Sequence, residues 1–347
     1  MERIKFSDFI KKPEMLPQAS GIFVLHDKEY PLYVKTTENL RRFVGLYSDK
    51  NSKEPNIQEL EKQIHYIDYQ IDNVLIDLFI KELLFINKNN PPFNKILKPW
   101  QHYVYLGINF DGPSFMKLCE DTTESHHYLG PFRSAFILND ILDVFAEYFK
   151  MPRCGNSEIE NFGCNRLLEN LCLGFCQNKL KEALPEMLNR MMMIPNKALI
   201  GKMIAEHEAL LNDLEFEKAD TIKSKITLLK KYYKNILFCY TSQFIIGEFD
   251  VCGNTIKVVQ GMIYEIVSKD TKNSSTCICV EERDRFNYLK NNELLAYEKS
   301  EYDHRWLVFD FLYNTKPEYI EELFMENVVH LQKKMFLNKI KEINNDR

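Results

Sequence analysis

The amino-acid sequence predicts an α+β fold: a small α/β unit first, a helical middle, and strands again before the C-terminus. Three observations carry this. Residues 20 to 35 hold two short β-rich runs, "GIFVLH" and "YPLYVK", separated by "DKE", which is the pattern of a hairpin. Residues 178 to 233 read as helix almost throughout, with apolar residues recurring every three or four positions. From Ile236 the runs "FCYTSQFIIGEF", "TIKVVQGMIYEIV" and "TCICVEE" restore β-forming residues. A chain of 347 residues is longer than one core usually organises, so two or three domains are expected.

The elements follow in order. After the hairpin, "TTENLRRFVGLYSD" predicts a helix capped by Thr36 or Thr37, with Leu40, Phe43, Val44 and Tyr47 on one apolar face. "HYIDYQI" predicts another strand. An apolar helix runs from about Asp72 to Lys88 and stops by Asn90, ahead of "PP". Two strands are expected at "YVYLGINF" and "SFMKLCE", then a helix from Ser134 to Lys150. Further on, Ile200, Met203, Ile204, His207, Leu211 and Leu214 line one helix, and Ala219, Ile222, Ile226 and Leu229 line a second. Two such seams with a short break between them predict a helical hairpin. Two or three helices close the chain.

Composition narrows the function classes. The N-terminal "MERIKFSDFIKKPEMLP" is charged throughout and lacks a signal peptide's apolar core. The most apolar stretch, "NVLIDLFIKELLFI", is broken by Asp77, Lys81 and Glu82, so no membrane span or membrane partner is expected. That places the protein in the cytoplasm, where disulfides are rare. A net charge of −5 argues against an overall basic nucleic-acid binder, although "ENLRRF" and "LQKKMFLNKIK" are locally basic. Nine cysteines are present, and Cys154, Cys164, Cys172 and Cys176 cluster with spacings x9, x7 and x3. In a reducing compartment such a cluster points to a metal or redox site.

Four segments, in order, resemble the N-terminal half of UvrC, the bacterial excision-repair nuclease. "LPQASGIFVLHDKEYPLYVKTTENLRRFVGLY" is similar to the GIY-YIG nuclease core. "KELLFINKNNPPFNKILK" is similar to a helix bearing a metal-binding Glu, followed by Pro and Asn. "HYLGPFRS" leads into a helix and the four cysteines, and "LNDLEFEKADTIKSKI" resembles the UVR motif. The resemblance divides the chain into a nuclease-like domain (13–100), a linking region (101–153), a four-cysteine segment (154–180), a helical region with the UVR hairpin (181–235) and an unassigned α/β domain (236–347).

What the resemblance implies is metal-dependent phosphodiester hydrolysis, DNA strand incision in nucleotide excision repair. Glu82 would hold Mg²⁺ or Mn²⁺; its apolar neighbours Leu78, Phe79, Phe85 and Ile86 independently turn that helix side inward. Tyr33, Tyr47 and Asn94 match the other catalytic positions. Against this, Phe23 replaces a motif tyrosine, Lys35 a glycine, Thr36 a lysine and Phe43 the phosphate-binding arginine. Loss of that cation alone can cost on the order of a thousandfold in rate. A non-catalytic adaptor binding DNA and a UvrB-type partner is therefore the alternative function. The four cysteines would hold an iron–sulfur cluster, with zinc as the alternative. Glu215, Phe216, Glu217 and Ala219 fall at the hairpin turn, where a UvrB-type protein would bind.

Overall fold

The structure, a computed structural model, describes residues 1–48, 55–97, 99–108, 116–122, 127–151, 153, 165–174, 188–268, 274–276 and 298–332. The elements begin β1 (Glu2–Lys5), α1 (Phe6–Lys11), β2 (Gly21–His26), β3 (Pro31–Thr37), α2 (Leu40–Leu46) and α3 (Pro55–Gln63). Next come β4 (Tyr66–Ile71), α4 (Leu75–Asn89), α5 (Pro92–Ile96), β5 (Val104–Ile108), β6 (Met116–Cys119) and β7 (His127–Phe132). Helices α6 (Ala135–Phe149), α7 (Asn165–Leu168), α8 (Lys197–Asn212) and α9 (Phe216–Thr241) form the middle. The chain continues through β8 (Gly247–Val251), β9 (Asn254–Val259), β10 (Met262–Ser268), β11 (Ser274–Thr276), α10 (Lys299–Thr315) and α11 (Pro317–Gln332). Mixed helix and sheet is the α+β class expected. Among the described residues no helix is long and apolar enough to cross a membrane.

The described residues fall into two compact units, one drawn from 1–99, 244–290 and 303–315, the other from 100–243, 291–302 and 316–347. Residues 236–347 are thus shared between the two.

In the first unit an antiparallel sheet has the order β1-β4-β2-β3. Strand β2 is inside it and buried on both faces. Phe23 and Leu25 join one core with Phe9, Leu40, Val44 and Phe93, while Ile22 and Val24 meet Val34 and Leu78 on the other, as the two-residue period of a strand requires. Gly21 is dictated by space: a Cβ there would lie 2.5 Å from the Gln70 carbonyl oxygen and 2.6 Å from Leu40 Cδ1. The expected turn is built by Asp27, whose Oδ1 accepts from the Glu29 and Tyr30 amides at 2.7 and 2.6 Å.

Strand β1 and helix α1 lie in a segment read from sequence only as not a signal peptide. "ERIK" shows little apolar alternation because it is an edge strand; Arg3 forks onto Asp68, its register partner, at 2.5 and 2.7 Å. The cap of α2 also differs from expectation. Asn39, not Thr36 or Thr37, accepts from the Arg42 amide, since both threonines still belong to β3. A second antiparallel sheet, β11-β10-β9-β8, completes the unit with residues 303–315 of α10. "TIKVVQGMIYEIV" is two strands, not one: Gln260 and Gly261 both take positive φ (54° and 73°), the signature of a tight two-residue hairpin turn.

In the second unit β6-β5-β7 form a three-stranded sheet, β7 being a strand where only a lead into a helix was anticipated. Ser134 caps α6 as expected, accepting from the Ile137 amide, and α6 packs on α9 through Phe145 and Tyr232, edge to face at 5.2 Å. Helix α9 runs to Thr241, so "FCYT" is helix rather than the start of a strand. Ile236, Phe238, Cys239 and Tyr240 are all fully buried, and a helix end buried all round has no amphipathic period to betray it.

Candidate functional site

Strand β3 lies at the edge of the first sheet, so every second peptide along it turns away from β2 with its hydrogen-bonding groups unpaired. Two side chains fill that edge. The Asn94 amide accepts from the Val34 N–H at 2.9 Å and donates to the Val34 carbonyl at 2.8 Å. Two residues along, the Thr36 N–H donates to Glu82 Oε2 at 2.6 Å. Helix α4 delivers Glu82 there by laying Leu78, Phe85 and Ile86 against the sheet. Glu82 is only 4% exposed, as its apolar flanks predicted.

Strand alternation sends Tyr33 and Lys35 to the face that carries Phe23. The rings of Phe23, Tyr33 and Tyr47 form a closed trio, with centroids 6.2 Å apart from Phe23 and 5.4 Å between the two tyrosines. Burial pushes both phenols well above their ordinary pKa, the Tyr47 hydroxyl pulling Tyr33 partly back. The Lys35 ammonium lies 3.4 Å from Glu82 Oε1. Burial favours its neutral form, but the Glu82 and Asp303 carboxylates outweigh this and hold its pKa above the ordinary lysine value. Asp303, from the C-terminal part of the same unit, is a member of the site that sequence reading did not find. Phe43 packs against the core beside Leu40 and Val44, while Arg42 is exposed.

The site therefore brings together Tyr33, Tyr47, Glu82 and Asn94. Asn94 serves the β3 backbone, with both ends of its amide engaged. For a divalent cation the donor is the Glu82 carboxylate. With an ammonium on Oε1 and an amide on Oε2, it fits such an ion only if Lys35 withdraws.

Helices α8 and α9 pack as the expected hairpin within the second unit. The predicted α9 seam is right: Ala219, Ile222, Ile226 and Leu229 are buried. The α8 seam is shifted. Leu199 and Met203 are buried, whereas Ile204, Leu211 and Leu214 are 38%, 40% and 71% exposed. Phe216 is also exposed at 59%, so the turn presents two large apolar side chains. Glu215 pairs with Lys218, and Glu217 accepts at its carbonyl from the Thr221 hydroxyl.

Of the four clustered cysteines, Cys154, Cys164 and Cys176 lie outside the described residues. Cys172 is buried, its Sγ accepting from the Gly174 amide at 3.4 Å. Among the described residues no three His, Cys, Asp or Glu side chains gather as a metal centre. Five further cysteines lie outside this cluster in sequence. Cys119 is on β6, but Cys239 is in helix α9 and Cys252 in the β8–β9 turn, while Cys277 and Cys279 lie outside the described residues.

A short antiparallel sheet whose open edge is clasped by a helix-borne glutamate and an asparagine is the arrangement expected from the resemblance to the GIY-YIG core. Comparison with known proteins agrees. The chain is 30% identical over 174 residues to UvrABC system protein C of Finegoldia magna, covering 50% of this chain and 28% of the relative. Against the same protein of Ruminiclostridium cellulolyticum it is 24% identical over 236 residues, 65% of this chain and 38% of the relative. The chain thus aligns with about a third of the length of these relatives. No family model matches it. Among solved structures, the GIY-YIG N-terminal endonuclease domain of UvrC from Thermotoga maritima, bound to magnesium, is 18% identical, with a TM-score of 0.23 over 25% of this chain and 96% of that one. By sequence similarity this is a UvrC-like protein.

Proposed function

We propose that the chain is a UvrC-like excision-repair protein that binds DNA and a UvrB-type partner and works as an adaptor rather than an incising nuclease. The observation that carries this reading is the state of Glu82. Its two oxygens are taken up by the Thr36 amide and the Lys35 ammonium, and positions 23 and 43 carry phenylalanines packed into the core. Phosphodiester hydrolysis needs an activated water and a cation on the developing charge. Here burial holds Tyr33 and Tyr47 as neutral phenols, and the Lys35 charge is balanced internally. What remains suited to binding is the hairpin, with Leu214 and Phe216 exposed at its turn. The four-cysteine segment would hold an iron–sulfur cluster or zinc beside it in sequence.

Incision is the second reading, favoured by the gathering of Tyr33, Tyr47 and Glu82 within electrostatic reach of one another. One experiment separates the two: capture of purified UvrB-type protein, paired with a nicking assay on damaged duplex with Mn²⁺. The adaptor reading expects capture without nicking. Vigorous nicking that Glu82→Ala abolishes would overturn it in favour of a nuclease.

A further inference from the structure

We infer that the Lys35 ammonium is a resident competitor for a divalent cation at Glu82, so that lysine and metal exchange on one carboxylate. The inference rests on Glu82 being the residue that would hold the ion, and it says what controls that site.

The geometry leaves one place for a cation. Glu82 Oε2 already accepts from the Thr36 N–H at 2.6 Å, which leaves Oε1 the less engaged oxygen, and Lys35 Nζ stands 3.4 Å from it. The carboxylate side chain is 5% exposed, and in so dry a setting two cations a few ångströms apart repel strongly. A metal ion must therefore displace the ammonium. The lysine can yield: its side chain is 23% exposed, and the Asp303 carboxylate also acts on it. Lysine in place thus occupies the position a metal would need, and lysine withdrawn leaves Glu82 Oε1 open to a hard divalent ion that keeps most of its own waters.

The test is a Mn²⁺ titration of the full chain, free ion being read by electron paramagnetic resonance. Wild type, Lys35→Met, Lys35→Gln and Lys35→Met/Glu82→Gln are compared after circular dichroism shows each folded. Both single variants should bind one Mn²⁺ at least tenfold more tightly than wild type, and the double variant should lose that gain. On unmutated protein, saturating Mn²⁺ should raise acylation of the Lys35 amine by a water-soluble ester, read by mass spectrometry. Equal affinity in wild type and both single variants, a gain that survives Glu82→Gln, or Lys35 acylation indifferent to Mn²⁺ would each overturn the inference. Partner capture is read separately, so failure here is distinguishable from failure of the adaptor reading.

Discussion

Replacing Asn94 by alanine removes both hydrogen bonds that close the open edge of β3, at 2.9 and 2.8 Å. Val34, fully buried, is left with an unpaired N–H and an unpaired carbonyl. Two ordinary hydrogen bonds contribute about 1 kcal/mol each, and stranding a buried partner adds roughly 1–3 kcal/mol where water cannot reach it. Because water can partly reach a strand edge, the expected total is about 2–4 kcal/mol. For a unit of this size that lowers Tm by roughly 4–16 °C. Thermal and urea unfolding give the loss, and hydrogen exchange at the Val34 amide locates it. Asn94→Asp sharpens the test: it keeps an acceptor for the Val34 N–H but sets a carboxylate against the Val34 carbonyl, so near pH 7 it should be no more stable than Asn94→Ala. A loss below about 0.5 kcal/mol for Asn94→Ala, with Val34 still protected, would refute the claim that this side chain stands in for a neighbouring strand.

Gly21→Ala should destabilise the first unit by about 1–3 kcal/mol in urea unfolding, because a Cβ there meets the Gln70 carbonyl and Leu40. Stability should also fall on the acid side. Burial holds the His26 pKa below its ordinary value, and Arg3 with His26 outweighs burial to lower that of Asp68. A folded pKa below the unfolded one means the unfolded chain binds more protons, so stability should fall from just below about pH 6.5 and again below about pH 4. The second step should shrink in Asp68→Asn, while the share of Asp27, whose carboxylate is held by the Tyr30 and Glu29 amides, remains. Phe216→Ala should leave Tm within about 1 °C of wild type, since the ring is exposed, while weakening capture of a UvrB-type partner by about 2 kcal/mol; undiminished capture would clear the ring of any role. Protein made without oxygen should be brown, with iron and sulfide lost in Cys172→Ser; colourless protein with one tight zinc would select the alternative, and neither metal would refute the site.

Much of the first sheet was legible because its signals are local. The β2–β3 hairpin, the apolar flanks of Glu82 and the stop of α4 near Asn90 all lie within a few residues of their causes. What escaped depends on partners far along the chain. "ERIK" becomes a strand only by pairing with β4, more than sixty residues on. The α8 seam was misplaced because sequence gives a helix's apolar stripe but not which part of it the partner covers. The pairing of Lys35 with Glu82 spans 47 residues, and Asp303 reaches the same lysine from the far end of the chain. No periodicity encodes either one.

That pairing also bears on how the departures from the GIY-YIG pattern fit together. Taken singly, Phe23, Lys35 and Phe43 each remove a polar or small group from a cleft, and each would leave a void, a stray charge or an exposed apolar edge. Together they do none of these. Phe23 is fully buried between Tyr33 and Tyr47, and Phe43 joins the core that Leu40 and Val44 begin. Lys35 supplies the positive charge that a buried Glu82 needs in order to stay ionised at tolerable cost. Phe23 and Phe43 are thus absorbed by the core and Lys35 by Glu82, whereas at the fourth departure Thr36 Oγ1 is buried without a hydrogen-bond partner. Glu82 is then kept for a structural reason independent of catalysis, since it completes the β3 edge through Thr36. Its presence alone is no evidence of incision, and Glu82→Ala speaks to catalysis only where the wild-type protein nicks and the variant is shown to be folded.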